Sequence, residues 1–239
     1  MGILIVIAGI LIPLIGVGTV VYILIPLSKS KGKKKIFTSK NLLHFYLYLI
    51  SFASLIIGVV ALAVALNGLF GHKYSPEFSF NLESPTTMYV PEEKIDYIDP
   101  DFKECYKGEL TEIDGQKVCF DKQQAKKDVI NGLSVAIPMI ILFLIHRLSI
   151  YYIERKGTST ENLKKIYHFA SLILFSIGGL IAIPVAIYQL LNYLNFRPED
   201  VTMIDPPGLA ISFVILVVPV WIVFLVKTIK MKDIEDKDE

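Results

Sequence analysis

Three histidines, two cysteines and a knot of acidic residues are the side chains in this sequence that could do chemistry. His44, His146 and His168 each stand near the end of a long apolar run. Imidazole is the commonest metal ligand and a common axial ligand of haem, so these three are candidates for a cofactor site if the fold brings them together. None has a second histidine four residues away, the step that places two ligands on one helix face. Tyr46, Tyr48, Tyr151, Tyr152 and Tyr167 surround them in the sequence. The plainer reading is therefore a polar boundary with an interfacial aromatic belt, and no cofactor is expected.

Cys105 and Cys119 are the only cysteines. Their spacing is not Cys-x-x-Cys and no histidine lies between them, so neither a redox motif nor a zinc site is expected. A structural disulfide is. Closing a loop of about 15 residues stabilises a small fold by roughly 3 kcal/mol in the chain-entropy model. Between the cysteines, Asp114 and Gly115 are flanked by strand-forming residues, a two-residue hairpin signal. That turn pairs Ile113 with Gln116 and Leu110 with Cys119, and Cys105 must curl back at Lys107 and Gly108. Asp96, Asp99 and Asp101 crowd beside Glu92 and Glu93, but Pro100 intervenes and a calcium loop's turn glycine is missing. They read as a solvated acidic face, and no metal is expected.

These residues are separated by stretches that water would not tolerate. The chain has 239 residues, 53% of them hydrophobic, and its 20% of charged residues sit in blocks. That excludes a single soluble domain, a disordered chain and a basic nucleic-acid binder. A membrane helix needs about 20 apolar residues to cross a core roughly 30 Å thick. Five runs qualify: 3–27, 42–70, 129–145, 166–194 and 209–226. The fold class expected is all-α, an integral membrane antiparallel bundle of five transmembrane helices with a small disulfide-stapled extracytoplasmic loop. The segments are a first transmembrane helix at 1–27, a basic cytoplasmic linker at 28–40 and a second helix at 41–70. An acidic outer loop at 71–128 and a third helix at 129–153 follow, then a cytoplasmic loop at 154–165 and a fourth helix at 166–194. An outer loop at 195–207, a fifth helix at 208–228 and a charged cytoplasmic tail at 229–239 complete the chain. Residues 1–27 lack a basic leader and a small-x-small cleavage site, so they read as a retained helix and not a signal peptide.

Orientation follows from lysine and arginine, which accumulate on the cytoplasmic side. Segments 28–40, 147–165 and 227–239 hold 15 basic and 7 acidic residues. Segments 71–128 and 195–207 hold 9 basic and 16 acidic. The N-terminus is expected outside and the C-terminus in the cytoplasm of a cell membrane. In that topology the three histidines gather near the inner interface, and both cysteines face the oxidising side, where disulfides persist.

Inside the spans no Asp, Glu, Lys or Arg is placed in the hydrocarbon, which argues against proton-coupled transport. Pro13, Pro138, Pro184 and Pro219 are candidate helix kinks. Ser54, Gly58, Ala61 and Ala65 in the second helix, and Gly178, Ala182 and Ala186 in the fourth, are candidate packing seams. Gln189 and Asn192 lie one turn apart near the outer end of the fourth helix, without marking a substrate site. No phosphate-binding loop, nucleophile signature, zinc motif or nucleotide fingerprint occurs, so no enzyme activity is expected.

Asn41, His44, Phe45, Tyr46 and Tyr48 open the second helix, and Pro138, His146 and Arg147 close the third. Asn162, Lys164, Lys165 and Tyr167 lead into the fourth, which ends on Ala186, Tyr188 and Gln189. Over roughly 41–226 this text resembles an uncharacterised prokaryotic domain of four membrane helices, a domain of unknown function. The resemblance implies a four-helix unit from helices two to five, with helix one appended. It implies no activity and no site residues. The expected role is a structural or accessory membrane subunit whose outer loop meets a membrane or extracytoplasmic protein partner. An oligomeric channel or small transporter, formed by homo-oligomerisation along the fourth helix, is the alternative. A haem-bearing redox protein is the second. The lipid bilayer is the main partner in every case, and nucleic acid is none.

Overall fold

The structure, a computed structural model, describes residues 39–85, 105, 108–113, 115–155, 161–195, 202 and 204–238. The first apolar segment with Pro13, most of the basic linker, and Asp96, Asp99 and Asp101 lie outside these residues. In chain order the elements are α1 (Ser39–Lys73), α2 (Pro76–Ser79), β1 (Glu109–Ile113), β2 (Gln116–Phe120), α3 (Lys122–Arg155), α4 (Glu161–Asn195) and α5 (Gly208–Asp238). Among the described residues four helices are long and apolar enough to cross a membrane: Leu42–Lys73, Lys122–Arg155, Leu163–Asn195 and Gly208–Met231. Their large apolar side chains face outward in number, with Leu180 77% and Ile130 65% exposed. A surface this apolar is incompatible with water and suits lipid. This is a membrane protein.

Each helix outruns its apolar stretch. At 1.5 Å per residue the 35 residues of α1 span about 50 Å, well beyond a hydrocarbon core of roughly 30 Å. The third helix starts at Lys122, seven residues ahead of its apolar run, because Asp121 caps it. Asp121 Oδ1 accepts from the backbone N–H of Gln123 at 2.8 Å and of Gln124 at 3.0 Å, two of the donors a helix start leaves orphaned. The fifth helix runs on through the charged tail to Asp238. Pro138, Pro184 and Pro219 all lie inside continuous helices.

The chain divides into two compact units, each built from parts of several helices. One comprises 39–57 with Met139–Tyr167; the other comprises Gly58–Pro138 with the chain from His168 onward. In the second unit α1 and α3 approach closely. A Cβ placed on Gly132 would sit 2.6 Å from Ala65 N and 2.7 Å from Ala61 O, so the helix backbones touch there. Ala125 and Ala136 on α3 are fully buried. Small residues at near-four-residue steps on both helices allow this approach, as lipid-embedded helices require.

The hairpin belongs to the same unit. Strands β1 and β2 pair antiparallel, with Ile113 opposite Gln116 and Leu110 opposite Cys119, the register read from the sequence. Gly115 takes φ +79° in the turn. Gly108 takes φ +91°, and a Cβ there would lie 2.5 Å from the Phe120 carbonyl carbon. Only glycine turns the chain back so close to β2. Cys105 and Cys119 form the disulfide, Cα to Cα 5.4 Å. Val118 and Phe120 pack with Leu82, Ala125 and Ile204 in a small core. Cys119, on the opposite face of β2, is covered by the disulfide and by Glu83, whose carbonyl accepts its N–H at 2.9 Å.

Candidate functional site: an arginine, tyrosine and carboxylate cluster

Helical spacing selects the residues that meet in the first unit. On α1, His44, Tyr48 and Ser51 recur at steps of four and three, so they share one face. On α3, Arg147, Ile150 and Glu154 do the same, with His146 beside Arg147. Lys164 and Tyr167 stand one turn apart on α4.

Glu154 ties the cluster together. Its Oε1 accepts from Tyr48 Oη at 2.6 Å, and its Oε2 accepts from Lys164 Nζ at 3.2 Å. Both carboxylate oxygens are thus engaged. Tyr48 and Tyr167 rings lie 5.0 Å apart, and Phe52 meets Tyr167 edge-on at 6.3 Å. Ser51 Oγ is 3.5 Å from Tyr167 Oη. Arg147 lays its guanidinium over the Tyr167 ring, 5.2 Å from the centroid, a cation–π contact. Its Nη1 is buried and has no hydrogen-bond partner.

His44, His146 and His168 are all buried. His146 Nδ1 lies 2.8 Å from the Leu142 carbonyl. A carbonyl only accepts, so Nδ1 carries the proton in this contact. Tyr46 flanks this ring at 5.8 Å. His44 is buried in the same unit. His168 belongs to the other unit, where its ring meets Phe224 at 5.9 Å. Among the described residues no three or more His, Cys, Asp or Glu side chains gather closely enough to hold a metal ion.

The small residues separate in the same way. Ser54, Gly58, Ala61 and Ala65 are buried, the last two against Gly132. Ser54 Oγ donates to its own helix, at the Ile50 carbonyl. On α4, Ala186 is buried while Gly178 and Ala182 are half-buried, and a Cβ on Gly178 would meet only Val217 Cγ1 at 3.9 Å. Gln189 and Asn192 are half-buried.

Sequence reasoning missed a second polar group, in the other unit. Asn67, Glu77 and Ser79 are all buried. Asn67 Nδ2 donates to the Ser79 carbonyl at 3.3 Å, and Tyr193 Oη reaches Glu77 Oε1 at 3.5 Å. Gly208, the first residue of α5, fits against them: a Cβ there would lie 2.5 Å from Asn67 Oδ1 and 2.6 Å from Ser79 Oγ. The signal for this turn was present, since Ser75 followed by Pro76 is a helix-start pattern. The Arg147, Glu154 and Lys164 group had a signal too. All three charges flank apolar runs, and Lys164 lies one turn from the buried Tyr167.

No family model, curated protein or solved structure matches this chain.

Proposed function

We propose that this protein is a non-catalytic, multi-pass subunit of a cell membrane that presents its stapled hairpin to a protein partner outside the cytoplasm. In this reading five helices form an antiparallel bundle, with the N-terminus outside and the C-terminus in the cytoplasm. The uneven distribution of lysine and arginine supports the orientation, and the Cys105–Cys119 disulfide fits an oxidising compartment. The observation that carries the reading is the hairpin's two-sidedness. Val118 and Phe120 are locked in the small core, while Leu110 and Glu112 on the other face of the hairpin stand exposed. Leu110 is an apolar side chain held in the open beside the Glu112 carboxylate. Glu109 pairs with Lys122 at 3.4 Å in a water-exposed ion pair at the start of α3. A rigid, covalently closed strand edge costs little ordering entropy when it docks.

The test is a photocrosslinking residue at position 110 or 112 of the full chain, illuminated in native membranes. A discrete protein adduct at these positions, absent when the probe replaces Leu180 on α4, is the expected result. Silence at both hairpin positions refutes the reading.

A further inference from the structure

We propose that Arg147 binds the phosphate of an anionic phospholipid headgroup in the leaflet at its end of α3. The inference needs only that the chain crosses a membrane; it does not depend on the hairpin's partner.

A guanidinium has five donors and no acceptor, and burying a donor of a charged group unmet is costly. Arg147 Nη1 is buried with no partner. The two oxygens of Glu154, the carboxylate of the cluster, are held by Tyr48 and Lys164. Among the described side chains of the cluster, two cations, Arg147 and Lys164, stand with this one carboxylate. The Tyr167 ring covers one face of the guanidinium, so its remaining capacity lies in the plane, along the fork of N–H groups. That fork matches two oxygens of a phosphate.

Depth selects the source of the phosphate. Arg147 follows the apolar run of α3 directly, and Tyr151, one turn further on, is 57% exposed, as is its neighbour Tyr152 at 61%. Exposed tyrosines at a span's end sit at headgroup level. Arg147 is only partly buried as a residue: Nη1 is the sealed end of its fork, and the rest of the guanidinium edge is the part that opens to the bilayer. The two cations favour a headgroup that carries net negative charge over a zwitterionic one.

The test uses the full-length protein in detergent, titrated with phosphatidylglycerol or phosphatidylcholine and read by native mass spectrometry. The wild type is expected to hold one phosphatidylglycerol per chain in preference to phosphatidylcholine. Arg147→Met is expected to weaken that binding by about tenfold or more, the value of a charged hydrogen bond. This variant leaves no charge stranded, since Glu154 keeps both partners, so it is expected to fold. Arg147→Lys, which keeps charge but loses the fork, is expected to recover part of the affinity. Arg155→Gln, eight residues along α3, is expected to bind as the wild type does. Equal lipid binding by wild type and Arg147→Met overturns the proposal. So does displacement of the lipid by inorganic phosphate at millimolar concentration, which would make a soluble phosphate the ligand.

Discussion

Replacing Gly132 with alanine adds one methyl group to the N-terminal half of α3. The new Cβ would lie 2.6 Å from the backbone nitrogen of Ala65 and 2.7 Å from the carbonyl oxygen of Ala61, where ordinary contact begins at 3.4 Å. The shortfall is roughly 0.8 Å against atoms that cannot rotate aside. Overpacking of this kind costs about 1–3 kcal/mol, and a backbone obstacle puts it near the top of that range. Alanine returns about 1 kcal/mol through helix propensity. The net expectation is a loss of about 2 kcal/mol, or about thirtyfold in the unfolding equilibrium. The internal control is Gly178→Ala on α4, whose Cβ meets only Val217 Cγ1 at 3.9 Å. It is expected to be neutral or to stabilise by up to about 1 kcal/mol. Unfolding in mixed micelles, followed by circular dichroism against a rising fraction of sodium dodecyl sulfate, measures both. Equal stability for Gly132→Ala and wild type, or a larger loss at Gly178, would refute the claim that α1 and α3 touch at Gly132.

A maleimide that cannot cross membranes is expected to label Cys105 and Cys119 on intact cells only after reduction; labelling without reductant contradicts the disulfide. Gly108→Ala, strained at φ +91° and blocked by the Phe120 carbonyl, is expected to leave a fraction of the protein with free thiols in a gel-shift assay. Asp121→Ala removes the cap of α3 and is expected to cost about 1 kcal/mol, with faster amide exchange at Gln123 and Gln124; unchanged exchange there would show the cap to be idle. The purified protein is expected to show no Soret band, and a band lost in His146→Ala would instead make that imidazole a haem ligand.

The membrane helices were legible because their signal is long and repeated. Four apolar runs of the required length became four helices. The hairpin was legible for a different reason: Asp114 and Gly115 between strand-formers fix register locally, and Gly108 marks the return. The start of α3 at Lys122 lies ahead of its apolar run because capping, not apolar length, sets it, and Asp121 with Gln124 three residues on is the local signal. The Arg147 cluster was missed for a physical reason. Tyr48 and Glu154 are 106 positions apart, and nothing local says that they meet. The two candidate seams could not be ranked for a similar reason: small residues are as conspicuous on α4 as on α1, and only a neighbour's surface, such as Gly132 against Ala61 and Ala65, shows where backbones touch.

One residue, Asp121, separates strand β2 from helix α3. It is not slack, because its side chain is bonded to the helix's first turn and Phe120 is fixed in the small core. The hairpin therefore acts as a short crank on a long shaft. Any torque applied at its tip by a binding event, or by tension along the disulfide, passes into the first turn of α3 without a flexible joint to dissipate it.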